Sequence, residues 1–250
     1  MLRDIYKKEF FFNDSIEEIQ NIILDILNPE ELKKAGHISL KYKCDEIEDA
    51  CALSLRAIHN MYAVGSDFEK IKLKFETYLE ILWKANSCYK SIRGTTVDNG
   101  KLFVTPNIFS TIVYAECLNF RAILEQFSNC IPSKEDQLVD RLLVCYQPDR
   151  PISDVLKEKG KYKQLIEILN SDDKAFQAKK LKTYLDQWPK KLGIRAPDGV
   201  RPLHETPTYD GYWCYEAAAV VIVADIDDEG FRDHEFYPTE LMSWRVKHEK

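Results

Sequence analysis

The segment that most constrains the fold is an apolar run, Ala217 to Ala224, which is bounded on both sides by polar sequence. It follows the motif Tyr-Asp-Gly-Tyr-Trp-Cys-Tyr-Glu at residues 209–216, and an acidic stretch, 225–229, comes after it. Its valines and isoleucine favour a strand, whereas three consecutive alanines favour a helix, so periodicity alone leaves both open. We predict a helix that is buried on most of its faces, because the run is apolar all round.

Two residues of the preceding motif carry polar groups into this apolar surrounding. Burial of the Glu216 carboxylate costs free energy unless it is paired or hydrogen-bonded, so we expect it at a hydrated helix end or opposite an arginine or lysine. The indole of Trp213 is expected against the core, with its N–H group donating to one acceptor. Gly211 marks a bend into the run, since glycine adopts backbone angles that other residues avoid.

The order of residues around the run resembles the C-terminal domain of the polymorphic-nuclease immunity (PoNi) family. Cys214 departs from that pattern, which has an apolar or aromatic residue at this place, and residues 157–195 carry no motif of the family. On the N-terminal side, the resemblance rests on Arg3-Asp4, on the Phe10-Phe11 pair and on the helical pattern after Asn13. On the C-terminal side it rests on Tyr209-Asp210-Gly211-Tyr212-Trp213-x-Tyr215-Glu216-Ala217-Ala218-Ala219, Asp225-x-Asp227-Asp228, Phe231-Arg232-Asp233-His234 and Tyr237-Pro238-x-x-Leu241.

The resemblance implies an antitoxin that acts by binding and not by catalysis. Such an intracellular immunity protein would bind a cognate DNase toxin, delivered by a secretion system in interbacterial competition, and occlude its DNA-binding cleft. No cofactor and no metal are implied. The residues to which the resemblance gives a structural role are Tyr209, Gly211, Tyr212, Trp213, Glu216, Tyr237 and Pro238.

Composition favours helices independently of the resemblance. Nine glycines and ten prolines among 250 residues leave little material for the tight turns of an all-β fold. We predict an all-α fold with antiparallel, bundle-like packing, in which two helical parts surround the buried C-terminal helix. The prolines at 148 and 151 favour an extended segment, and they divide the chain into a helical N-terminal immunity domain, 1–147, and a helical C-terminal immunity domain, 152–250.

The hydrophobic pattern predicts the individual helices. A first helix starts at Asn13 or Asp14 and ends before Pro29. The proline at 106 opens a long helix that continues to about Asn129. The other predicted helices cover 46–64, 66–89 with Ser66 as the cap, 155–170, 172–188 and a last one from Pro238, and Ser133 with Asp136 form a capping pair before Leu138.

The seven cysteines and the absence of a long apolar segment bear on compartment. The cysteine count is odd, and no two cysteines form a C-x-x-C pair, so buried free thiols are favoured over a disulfide or a zinc site. Residues 1–12 lack the apolar core of a signal peptide, and no run reaches the ~18 apolar residues of a membrane span. These observations predict a cytoplasmic protein with no membrane partner.

Charge is distributed unevenly along the chain. Residues 157–195 contain eleven Lys or Arg and five Asp or Glu, whereas residues 204–250 contain four and eleven. A nuclease that binds DNA presents a basic cleft, so an acidic surface is complementary to it. The predicted partner-binding residues are the acids of this second segment, namely Asp225, Asp227, Asp228, Glu229, Asp233 and Glu235.

Two other functions are left open by the residues themselves. The carboxylates of Asp225 to Glu235, with His204 or His234, could serve a metal-dependent hydrolase, although no H-E-x-x-H pair fixes two ligands. A calcium loop is disfavoured because its twelfth position is Phe236. The lysines of 157–195 could contact nucleic acid, but they alternate around a helix without a recognition motif, which disfavours that partner. A homo-oligomer stays open.

Overall fold

The computed structural model describes residues 3, 4, 6–28, 40–93, 103–191, 202–206 and 208–248. They form helices and no β-strand, which confirms the all-α prediction. The chain divides into two compact units, Met1–Asn107 with Gly199–Gly211, and Ile108–Asp198 with Tyr212–Lys250. The α-helices are α1 (Glu9–Ile26), α2 (Leu40–Val64), α3 (Phe68–Arg93), α4 (Thr105–Cys117), α5 (Leu124–Cys130), α6 (Gln137–Leu143), α7 (Lys159–Leu169), α8 (Lys174–Lys191), α9 (Tyr215–Ala224) and α10 (Thr239–His248).

The first unit is built on α2, which packs against both α1 and α3. The turn between α2 and α3 contains Gly65 at φ 81°, a left-handed conformation that glycine adopts without steric cost. Asp67, and not the predicted Ser66, caps α3, because its carboxylate accepts the Glu69 N–H at 2.9 Å. Phe12, Ile58, Ile71 and Phe75 are fully buried in this unit.

The first unit also corrects the prediction that the cysteines are free thiols. Cys44 of α2 and Cys88 of α3 form a disulfide across a Cα–Cα distance of 5.5 Å. Cys51, Cys117, Cys130 and Cys214 are buried and form no disulfide, as expected, whereas Cys145 is exposed. The pairing was hidden because the two cysteines are 44 residues apart and only the packing of two helices brings them together. Disulfides are typical of oxidising compartments, whereas the sequence predicts the cytoplasm.

The second unit is organised around α9, the predicted central helix. It begins at Tyr215 and ends at Ala224, so the helical interpretation of the apolar run is confirmed. Residues 217–220 have no exposed surface, and α9 packs against α6, α7 and α8. Since alanine side chains are small, they allow three helices to approach one segment closely. None of the described helices is long and apolar enough to cross a membrane.

The long helix predicted from Thr105 to Asn129 is wrong, because the chain breaks it in two. α4 ends at Cys117, and Asn119 takes a left-handed conformation with φ 67°. The Phe120 N–H donates to the Ala115 carbonyl at 2.7 Å, which closes the helix end in a Schellman-type arrangement. A 3₁₀ turn, Arg121–Ile123, then leads into α5.

The segment between the prolines at 148 and 151 lies inside the second compact unit. Arg150 is buried, and its Nε donates to the Asp140 carboxylate of α6 at 2.8 Å. Its other nitrogens donate to the carbonyls of Ser128, Ile131 and Pro132. This ion pair joins the segment 148–151 to α6, so the boundary between the compact units does not lie at these prolines. The division into immunity domains 1–147 and 152–250 stays a prediction.

Candidate partner-binding surface

The motif that precedes α9 is divided between the two compact units. Its first part belongs to the first unit, where the buried Tyr209 hydroxyl donates to the Asp4 carboxylate. The next residue, Asp210, lies 3.1 Å from Nδ1 of His59. Gly211 has φ 101°, a value that requires glycine, and there the chain passes from the first unit to the second. The N-terminal Arg3-Asp4 pair and the C-terminal motif thus meet through Asp4.

The second part of the motif builds the start of α9. Tyr212 is buried, and the Tyr215 hydroxyl lies 2.7 Å from the hydroxyl of Tyr114. The Cys214 N–H donates to the Phe236 carbonyl at 2.7 Å, which fixes the segment before α10 against the start of α9. Trp213 is half-buried, so it lies against the core over part of its surface only.

Glu216 is buried without the arginine, lysine or hydrated helix end that we expected. Its Oε2 accepts the indole N–H of Trp188, a buried residue of α8, at 3.3 Å. The Cys214 thiol also interacts with the carboxyl group. Burial raises the pKa of Glu216 to about 7, against the opposing effect of these hydrogen bonds and of the more distant Lys161 ammonium. Glu216 is therefore a structural group at the inner end of α9.

The other end of α9 opens into the acidic loop, by which we mean residues 225–235. Asp225 ends the helix in a left-handed conformation with φ 47°, and the Ile226 N–H donates to the Val221 carbonyl at 3.0 Å. The ammonium group of Lys174 in α8 donates to the Ala224 carbonyl. A cation at a helix C-terminus is favourable because the last carbonyls carry partial negative charge.

The acidic loop is held by one internal carboxylate, that of Asp228. It is 5% exposed, and its Oδ1 accepts from the guanidinium of Arg232, with Nε at 2.9 Å. The hydroxyl of the buried Tyr237 donates to Oδ2 at 2.9 Å. Thr239, the first residue of α10, donates its hydroxyl to the Arg232 carbonyl. Together these bonds fix both ends of the loop relative to α10, next to the buried Pro238.

The six predicted partner-binding acids thus fall into two groups. Asp228 points inward and is already paired, so its carboxylate is not offered to a partner. The remaining five are exposed, and none forms an ion pair with a described residue. Asp227 in addition accepts the Glu229 N–H at 3.0 Å, which tightens the turn. The exposed carboxylates are Asp225, Asp227, Glu229, Asp233 and Glu235.

The basic segment 157–195 behaves differently. Lys161 pairs with Glu158 at 2.5 Å, and Lys180 pairs with Glu167 at 3.1 Å. Further lysines of α7 and α8 approach Glu167 and Asp186 at 3.9 and 3.7 Å. Because several of its lysines already pair with acids of the same segment, the segment offers less free positive charge than its composition indicates.

Comparison with known proteins finds a family match in the C-terminal region. Residues 134–241 match the model of the family described as PoNe immunity proteins (PoNi), C-terminal, which confirms the resemblance predicted from the sequence. This is a family of immunity proteins, a class that generally acts without catalysis. No curated protein matches the chain significantly.

Among solved structures, the crystal structure of protein PA2201 from Pseudomonas aeruginosa is similar to this chain. The two share 13% sequence identity and superpose with a TM-score of 0.71, over 94% of this chain and 88% of that chain. At so low an identity the likeness shows a shared fold alone.

Proposed function

Since residues 134–241 match the C-terminal region of PoNe immunity proteins, we propose that this chain binds a cognate DNase toxin and inhibits it by covering its DNA-binding cleft. The contact is made by the exposed carboxylates of the acidic loop. The partner is a secreted nuclease, met in the cytoplasm of the cell that the immunity protein protects. No catalytic step and no cofactor are needed, because occlusion of the cleft is enough.

One observation carries this proposal: a fixed loop presents five exposed carboxylates. A DNA-cleaving enzyme must attract phosphates, so its cleft is positive, and opposite charges accelerate the encounter of two proteins. The internal Asp228–Arg232–Tyr237 bonds hold the loop in one conformation before binding. A preformed loop loses less conformational freedom on association, which favours affinity.

The alternative function of a metal-dependent hydrolase finds less support in the described residues. No three or more His, Cys, Asp and Glu side chains lie close enough together in this part of the chain to hold a metal ion. A hydrolase would therefore have to bring its metal-binding side chains together when the ion binds. Calorimetric titration with calcium, magnesium, manganese or zinc tests whether an ion binds. A saturable micromolar site in the acidic loop would favour the hydrolase over the immunity protein.

The proposal is tested by reversing charge at two matched places. The loop variant carries Glu229→Lys, Asp233→Lys and Glu235→Lys, at exposed residues whose side chains have no capping role that we observe. The control variant carries Glu125→Lys, Asp149→Lys and Asp154→Lys, at exposed acids of the same compact unit that lie outside the loop. Both variants change the net charge equally.

Each variant is co-expressed with the cognate nuclease, which is sought among the products of the genes adjacent to its own. We expect the control variant to protect the cells and to block DNA cleavage by the purified nuclease, whereas the loop variant does neither. Circular dichroism must show helical folds of equal stability. Full protection by the loop variant would mean that the toxin contacts another surface, such as the N-terminal helices or the segment 189–207.

A further inference from the structure

A second charged cluster arises where the helix predicted from Thr105 to Asn129 breaks. In an unbroken α-helix, residues five apart are turned by about 140° from each other, so Glu116 and Arg121 would not meet. The left-handed Asn119 and the 3₁₀ turn reverse this and place the Arg121 guanidinium at 2.7 Å from Glu116 Oε1. The break in the helix is therefore what creates the ion pair.

The carboxylate of Glu116 is the fixed centre of this cluster. Its side chain is 2% exposed, and its Oε1 also accepts the hydroxyl of Tyr146 at 2.7 Å. Oε2 lies 3.9 Å from Nε of Arg245 in α10. A buried carboxylate with these neighbours is fixed in place, so it also fixes the position of the Arg121 guanidinium.

The Arg121 side chain is exposed, and it also contacts the buried Glu116 and the ring of Tyr146. Its side chain is 60% exposed, and its guanidinium carbon lies 5.5 Å from the centroid of the Tyr146 ring. Guanidinium carries five N–H donors in a planar fork that matches a carboxylate, and the bond to Glu116 uses one nitrogen. An ordered arginine loses little rotamer freedom on binding, and arginine is enriched among the residues that dominate interface energies.

The cluster is connected to the acidic loop through α4 and α10. Cys117, the neighbour of Glu116, has its thiol 3.9 Å from the sulfur of Met242 in α10. It also lies close enough to Tyr237 for an electrostatic interaction, and Tyr237 donates to Asp228 within the acidic loop. Cys117 and Tyr237, both buried, thus form one path of interactions from α4 to Asp228, the anchor of the loop.

We propose that Arg121 is a specificity-determining contact which receives a carboxylate, the side chain of an Asp or Glu, on the nuclease toxin. This inference rests on the proposed function and deepens it: five carboxylates meet the basic cleft, and one arginine of opposite sign meets an acid at its edge. Glu116 and Tyr146 are positioning residues. Many DNA-binding surfaces are basic, so a contact of opposite sign distinguishes the cognate nuclease from other basic proteins and fixes its orientation.

The test measures association and dissociation rates with a catalytically inactive form of the nuclease that the wild-type chain neutralises. We expect Arg121→Ala to increase the dissociation rate about tenfold or more, with little change in association, since a close charged contact acts mainly on dissociation. Arg121→Lys should increase the dissociation rate nearly as much, because lysine keeps the charge but lacks the planar fork of N–H donors. Lys179→Ala, which removes an exposed cation from α8, is the matched control and should change neither rate.

The role of Glu116 is tested in the same assay. Glu116→Gln should increase dissociation in the wild-type background but not when Arg121 is already alanine, because it acts through the arginine. A merely structural role would instead give additive effects. On the nuclease, an Asp or Glu changed to Arg should restore slow dissociation with Arg121→Glu, and thermal melting confirms that each variant is folded.

Different failures overturn different claims. A wild-type chain that does not bind the nuclease would overturn the proposed function together with this inference. Tight binding that depends on the acidic loop, with Arg121→Ala indistinguishable from Lys179→Ala, would overturn the role of Arg121 alone.

Discussion

The two ends of α9 carry carboxylates in opposite situations. At the N-terminal end, Glu216 is buried against Trp188 and retains its proton up to about neutral pH, since burial raises its pKa to about 7. At the C-terminal end, the acidic loop keeps one carboxylate inside, that of Asp228, and exposes five. The inner acid at the first end has an indole N–H as its partner, whereas the inner acid at the second end has a guanidinium.

Under the proposed function, this difference separates folding from binding on a single helix. The densest part of the sequence motif lies at the N-terminal end, and there every tyrosine is buried inside the protein. The exposed carboxylates lie at the other end, and their spacing alone carries no fold information. Changes at the first end should therefore alter stability, and changes at the second end should alter association with the toxin.

The largest effect is expected at the N-terminal end, from Trp188→Ala. The indole is buried and donates to Glu216, so its removal leaves a cavity and takes one donor away from the carboxyl group. We expect a loss of about 4 kcal/mol in the free energy of unfolding, measured by urea denaturation. Trp213→Ala should cost less, because part of the Trp213 side chain is exposed. Equal losses would mean that the packing of Glu216 does not depend on Trp188.

A slightly smaller effect is expected from the titration of Glu216. In the unfolded chain its pKa returns to the ordinary 4.5, whereas in the folded chain it is about 7. Between these values the folded state binds the extra proton, so stability falls as pH rises through this window and levels off above it. The full loss attributable to Glu216 is about 3 kcal/mol.

The variant Glu216→Gln isolates this effect, because glutamine keeps the shape and cannot titrate. From pH 4.5 to about 7, the wild type should lose unfolding free energy relative to the variant. A constant difference across that range would show that the carboxyl group at this end of α9 is hydrated, like those at the other end.

The smallest effect compares two acids within the acidic loop. Asp228→Asn removes the charge that pairs with Arg232, and we expect a loss of about 2 kcal/mol, moderated because the arginine is half-exposed. Glu229→Gln, one residue later and exposed, should stay within about 0.5 kcal/mol of wild type. Thermal melting of both variants measures the contrast, and similar losses would remove the distinction between inner and outer acids.

Much of the fold could be predicted from the sequence where a pattern was local. The apolar run Ala217 to Ala224 was predicted as a buried helix because it contains three consecutive alanines and is apolar all round. The break at Asn119 was missed, since the apolar spacing continues through it and only Asn hinted at a left-handed residue. The disulfide between Cys44 and Cys88 depends on the packing of two helices, which no spacing reveals.

The sequence located the acids of the candidate surface but did not distinguish the buried acid from the exposed ones. All six acids were visible as charges, and the spacing of Asp228 and Arg232, four residues apart, could have indicated an internal pair. The role of Tyr237 could not be predicted, because it lies nine positions after Asp228 along irregular chain. Glu216 was expected opposite a cation, and its partner Trp188 comes from a different helix. The Arg121 cluster exists only because of the unpredicted break.

The central claim is that the exposed carboxylates of the acidic loop guide the toxin, and the salt dependence of association tests it most directly. Rates are measured by stopped-flow fluorescence at rising ionic strength for wild type, the loop variant with three lysines and its matched control. We predict that association of wild type and control slows steeply with salt, because exposed charges are screened within about 10 Å at 0.1 M. The loop variant should start slower and respond weakly. Equal salt dependence in all three proteins would contradict the account.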